Sequence, residues 1–235
     1  METNKNGLRQ TWSGSDAGEK GAKPMRKIML AGLGGFVVML AFVVPSAGAQ
    51  SLGGCQLQGA ARFSPGLNSS SQAFSYDFSG ALEGCQSSQS GAPTSGAVSA
   101  GQTISEQVTN SITGATDTVI YQQPIPSGSG GCGSSTTQGE ALATWSDGTV
   151  TVVSYSTTGA LAAVDLSGSV VPSMTLSAVN AAPGDPTTFT ISTTRYAGES
   201  ATGLLAFQPP EPAACTTPTG ATTAAISGLL GLGSS

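Results

Sequence analysis

The chain has 235 residues, a net charge of −5 and no histidine. The missing imidazole excludes Ser-His-Asp and Cys-His catalysis, histidine acid–base work and histidine ligation of zinc, copper or haem. With only 9% charged residues and 33 glycines, the polar surface has to be built from Ser, Thr, Gly, Gln and Asn.

Met1 to Pro24 forms a polar leader, with Asn4, Asn6, Gly7, Ser13, Gly14, Ser15, Gly18 and Gly21 and no apolar period that could bury a face. Six of the eight basic residues (Lys5, Arg9, Lys20, Lys23, Arg26 and Lys27) fall in the first 27 positions. Positive charge resists translocation, so this clustering suits the flank of an exported chain. The charge is sparse and mixed, which is unlike a nucleic-acid-binding arm. Translation from Met25 in place of Met1 would drop the leader altogether.

Residues 25–49 read as a signal peptide. Met25-Arg26-Lys27 is the basic start, Ile28–Val44 an uncharged apolar run, and Ala47-Gly48-Ala49 the small-x-small end, so cleavage is expected between Ala49 and Gln50. The 17-residue run falls short of the roughly 20 residues that span a bilayer. Gly32, Gly34 and Gly35 weaken it further as a permanent helix. An uncleaved N-terminal anchor with the domain outside is the alternative. A lipid on Cys55, after Leu52-Gly53-Gly54, is a third option, but it would leave three cysteines unpaired.

Residues 50–235 then form one secreted domain. Arg62 and Arg195 stand against ten acidic residues, a net charge of −8. Such a surface repels phosphate, so neither nucleic acid nor an anionic lipid surface is an expected partner. Lysine is absent after Gln50, which removes Schiff-base chemistry. The four cysteines, Cys55, Cys85, Cys132 and Cys215, all follow the expected cleavage site. An even count in an exported chain reads as two disulfides. Of three possible connectivities, the non-nested Cys55–Cys85 with Cys132–Cys215 is preferred, each bond contributing about 3–4 kcal/mol by restricting the unfolded chain.

Strand signals follow in order. Cys55–Phe63 alternates loosely, and Ser64-Pro65-Gly66-Leu67 turns. Ala73–Leu82 has Phe74, Tyr76 and Phe78 at period two. Gln86–Gly96 is loop, Gly96–Ile104 and Ser105–Gly114 are strands, and Pro124 to Gly133 is a hinge holding Cys132. Glu140–Trp145, the Asp147-Gly148 turn, Thr149–Ser156, a turn at Thr158-Gly159 and Ala160–Val171 form a meander. Met174–Val179, Thr187–Thr194, Ala201–Phe207 and Thr222–Leu230 complete eight to ten strands. The fold class is therefore all-β: an antiparallel β-sandwich, Ig-like or related, after an N-terminal signal helix, with a β-barrel as the alternative.

Few residues stand out for chemistry. Trp145 beside Asp147 could stack on a sugar ring, and Tyr155 on the following strand is a third binding candidate. The commoner role of such a Trp is a core residue at a hairpin end, with Asp147 suited to the turn. Asp165 should face solvent by alternation. Asp117 and Asp185 lack an Asp-x-Asp-x-Asp loop for calcium, so no metal or cofactor is expected. Arg195-Tyr196 reads as a surface pair or a small-anion contact.

Phe63-Ser64-Pro65-Gly66-Leu67, Gly84-Cys85-Gln86-Ser87-Ser88, Thr144-Trp145-Ser146-Asp147-Gly148-Thr149 through Ser154-Tyr155, Ala206-Phe207-Gln208-Pro209 and Ala214-Cys215-Thr216-Thr217-Pro218 resemble small secreted proteins of actinobacteria. The resemblance spans nearly all of 55–232. It implies export, two disulfides and an all-β domain, and it implies no activity.

The expected function is non-catalytic: binding an unknown protein or glycan, or structure, at the cell envelope or in the medium. A carboxylate-dependent glycan hydrolase is the alternative, needing two acids about 5–10 Å apart across a cleft. A secreted inhibitor or protein-docking module is the third reading.

Overall fold

Residues 51–233 are described by the structure, a computed structural model. The expected leader, signal helix and Ala49–Gln50 cleavage site lie outside the described residues. Thirteen strands account for most of the rest: β1 (Ser51–Leu67), β2 (Gln72–Ser87), β3 (Gly96–Ala100), β4 (Thr103–Thr109), β5 (Thr116–Gln122), β6 (Ser127–Gly130), β7 (Ser134–Trp145), β8 (Val150–Ala160), β9 (Ala163–Val171), β10 (Ser173–Ala178), β11 (Thr188–Ser192), β12 (Ser200–Gln208) and β13 (Ala221–Gly233). A short 3-10 turn, Pro212–Thr216, precedes β13. Among the described residues no helix is long and apolar enough to cross a membrane.

All the strand pairings are antiparallel, and one sheet closes on itself. Around the ring the order is β1, β13, β12, β9, β8, β7, then β3 and β6 together, then β2, which pairs with β1 again. The first and last strands meet, with Leu57 opposite Gly228 and Cys55 opposite Leu230. The stave between β2 and β7 is split. β3 pairs with Phe78–Leu82 and with residues 142–145, whereas β6 pairs with residues 72–75 and 135–138. Eight staves result, each beside its sequence neighbour, and closure leaves no free sheet edge in the ring.

Two hairpins leave this ring. β4 and β5 are inserted between the two halves of the split stave, and β10 and β11 lie between β9 and β12. They join through Ser177–Gln122 and Ala178–Tyr121 into a four-stranded sheet ordered β11-β10-β5-β4. Period-two alternation explains where it packs. Leu142 of β7 and Val152 of β8 join a core with Val119, Tyr121, Met174 and Leu176. The adjoining residues Ala143 and Val153 belong to the core inside the ring. The second sheet therefore covers the outer face of β7 and β8.

The expected all-β, antiparallel class is what the chain adopts. The closed ring carries the barrel element of the two readings, and the sheet laid over β7 and β8 makes a local double layer.

Several strand limits differ from expectation. Gly96–Ile104 is not continuous, because the chain turns at Gly101, whose φ of +66° suits glycine. The expected hinge 124–133 contains β6, whose Ser-Gly-Ser-Gly sequence has no apolar alternation to reveal it. No break occurs at Thr158-Gly159. β8 runs on to Ala160, and Leu161-Ala162 makes the turn before β9. β5 carries the buried Val119 and Tyr121 yet stands outside every expected strand.

The bonds Cys55–Cys85 and Cys132–Cys215, of sequence separation 30 and 83, are the preferred pairing of the three. The first joins β1 to β2. The second ties the β6–β7 turn to the 3-10 turn, and the same β6–β7 turn is held to the β1–β2 turn by Cys132 N donating to the Asn68 carbonyl at 2.8 Å. Two disulfides fit an oxidising, extracellular setting.

Candidate functional site

Inward positions along the ring are mostly aliphatic or aromatic, and they enclose a cavity of about 190 Å³ running between the two ends. Leu57, Phe78, Leu82, Val98, Val153 and Leu205 line its walls. Many inward side chains, including Phe63, Phe78, Val153, Val164 and Phe207, are only half-buried: each meets packed neighbours but also borders the open space of the lumen. Eight-stranded barrels are at the size where the interior is either filled by side chains or holds one small ligand. This one is left unfilled.

One end is closed by Trp145 and Tyr196, whose rings meet edge to face at 5.5 Å. Their positions follow from the local chain. Beyond the end of β9 the returning segment replaces it beside β8, with Thr194 N donating to the Val150 carbonyl at 2.9 Å. The Trp145 indole Nε1 donates to Thr151 Oγ1 at 2.8 Å, and that hydroxyl donates to the Arg195 carbonyl at 3.0 Å. Tyr196 takes φ of +61°, a conformation costly for a residue with Cβ and held here by its buried ring. At the other end Phe63 packs against Phe74, Tyr76 and Phe207 with centroids about 6 Å apart.

Among the polar residues of the lining, four hydroxyls form a row. Tyr155 OH lies 2.6 Å from Tyr76 OH, Tyr76 OH 3.1 Å from Thr137 Oγ1, and Thr137 Oγ1 2.7 Å from Thr157 Oγ1. All four residues line the cavity. Period two on β2, β7 and β8 brings them together, since Thr137 pairs with Thr157 across the ladder and Tyr155 is two residues away on the same face. Burial raises the pKa of both phenols, so they remain neutral throughout the physiological range. No Asp, Glu, Lys or Arg lines the cavity.

The expected site residues are thereby separated. Trp145 and Tyr155 both face the lumen, 5% and 9% exposed. A Trp buried in this way offers no exposed face for sugar stacking. Asp147 is elsewhere, at the tip of the β7–β8 hairpin. Thr149 donates to it from Oγ1 at 2.6 Å and from its backbone N at 3.0 Å, and an Arg195 terminal nitrogen donates at 2.9 Å. These donors hold its pKa below the ordinary carboxylate value, the Thr149 hydroxyl contributing most. Arg195 is therefore engaged by Asp147, and its guanidinium carbon lies 5.5 Å from the Tyr196 ring centroid. Asp165 faces solvent, as alternation requires.

Tyr76, Thr137 and Thr157 were not legible as site residues. Tyr76 is visible as an inward residue of its strand, but only the ring closure sets it against β8. Two outer grooves contain one carboxylate each, Asp165 in the first and Glu140 in the second. Among the described residues no three His, Cys, Asp or Glu side chains converge as metal ligands. Compared with known families, curated proteins and solved structures, the chain matches none of them.

Proposed function

We propose that this is an exported, non-catalytic binding protein that encloses a small, mainly apolar molecule in the lumen of an eight-stranded up-and-down barrel. The barrel reading is preferred to an Ig-like sandwich because every stave is flanked by its sequence neighbours and the first and last strands close the ring. The observation that carries the functional reading is the 190 Å³ cavity with its apolar wall. An apolar cavity of about 150 Å³ is large enough to stay dry and take benzene, so this one suits a ring with a short chain, about ten non-hydrogen atoms. At roughly 0.7 kcal/mol per atom, within the range open to small ligands, the affinity falls in the micromolar range.

The absence of acids, histidine and lysine from the wall supports binding over catalysis. The hydrolase alternative has less support, since neither the lumen nor the two grooves holds two carboxylates. Calorimetric titration of the full chain with propylbenzene tests the proposal. Saturable one-to-one binding is expected, lost in Ala141→Phe, whose ring fills the lumen, while the circular dichroism of that variant matches the parent. Absence of saturable binding, or binding indifferent to Ala141→Phe, would sink it.

A further inference from the structure

We infer that the lumen selects neutral molecules carrying one hydrogen-bonding oxygen on a hydrocarbon body, with that oxygen docking on the row formed by Tyr155, Tyr76, Thr137 and Thr157. The inference rests on the lumen being a ligand site and adds the chemical class of the ligand.

Counting protons gives the first reason. Four hydroxyls carry four protons, and the row makes three mutual hydrogen bonds. Each bond uses one proton, so one of the four protons finds no acceptor within the row, whichever way the bonds run. None of the four hydroxyls has a partner outside the row among the hydrogen bonds of the described residues. A hydroxyl facing a dry apolar space without a partner is unfavourable, and a ligand oxygen placed against it relieves that cost. The oxygens of the row also keep lone pairs free, so a ligand hydroxyl can both accept and donate there.

Charge gives the second reason. No cationic side chain lines the cavity. Arg195 is turned to Asp147 at the hairpin tip. Arg62 is an exposed residue of β1 whose neighbours Ala61 and Phe63 are the ones that line the lumen. An ionised carboxylate inside would therefore be buried without a counter-charge, which is strongly unfavourable. Fatty-acid-like anions are excluded on this ground, and alcohols, phenols and ketones are admitted.

Three probes with one body and different heads separate the possibilities: 4-propylphenol, propylbenzene and 4-propylbenzoate, titrated calorimetrically at neutral pH into the full chain. The phenol is expected to bind about tenfold more tightly than the hydrocarbon, the worth of one neutral hydrogen bond. The carboxylate is expected to bind at least about a hundredfold more weakly than the phenol. Replacing the whole row by near-isosteres (Tyr76→Phe, Thr137→Val, Tyr155→Phe and Thr157→Val together) should abolish the phenol's advantage over propylbenzene, both probes being titrated into the same variant. The paired variants Tyr76→Phe/Tyr155→Phe and Thr137→Val/Thr157→Val remove one half of the row each and cover the case in which the fourfold variant fails to fold; the advantage should fall in at least one of them. Equal binding of phenol and hydrocarbon by the parent, tight binding of the carboxylate, or an advantage that survives these substitutions would overturn the inference while leaving the lumen as a ligand site. Failure of all three probes to bind would overturn the lumen reading itself, and this inference with it.

Discussion

The carboxylate of Asp147 is held ionised by Thr149 and Arg195 at the tip of the β7–β8 hairpin, away from the lumen. Because its folded pKa lies below its unfolded one, its contribution to stability is whole above the ordinary carboxylate value near 4 and is lost as pH falls through the folded value. The stability gap between the parent and Asp147→Asn should therefore stay constant above about pH 5 and close as the pH is lowered past about 4. Denaturant unfolding at a series of pH values reads this, and a gap independent of pH would show that the carboxylate's charge is not what matters. At the same scale, Trp145 illustrates what a single sequence can and cannot say. Its place at a hairpin end, with Asp147 in the turn, follows from Asp147-Gly148 and the flanking alternation. That its ring faces a lumen, on Tyr196, depends on a segment some 50 residues downstream.

Strands with apolar alternation or a run of strong β-formers were legible. Phe74, Tyr76 and Phe78 mark β2, because one of its faces is apolar and the other polar, and Thr149–Ser156 marks β8 by its Thr, Val and Tyr content, with apolar residues on both faces. β6 reads as Ser-Gly-Ser-Gly, and its pairing is imposed by β2 and β7 on either side. β5 escaped because Thr116–Gln122 is short and sits between turn-rich segments, although Val119 and Tyr121 end up fully buried. Glycine in strand interiors is a signal of its own. Gly59 and Gly80 face each other across β1 and β2, and the ring of Phe78 lies over both. A Cβ at Gly59 would come within 2.5 Å of the Phe78 ring and of the Ser79 carbonyl oxygen. Gly59→Ala should therefore destabilise the protein by about 1–3 kcal/mol, the range for overpacking, as read by denaturant unfolding. A neutral effect would mean that the two strands are further apart than the register places them.

For the molecule as a whole, ring closure, the split stave and the lumen come from contacts between residues far apart in sequence. Cys55 pairs with Leu230, and the two inserted hairpins find each other through β5 and β10. Alternation and turn signals specify the antiparallel strands and the cysteine count specifies two bonds, but neither says which strand lies next to which. We propose that the barrel interior is an apolar, unfilled cavity able to accept a ligand. Apolar cavities of this kind bind xenon. Diffraction from crystals of the protein held under xenon pressure tests this. Xenon peaks are expected inside the ring, among Phe78, Val153 and Leu205 and clear of the Tyr76–Tyr155 hydroxyls. A lumen without xenon, filled by repacked side chains or by a chain of ordered water, would contradict it.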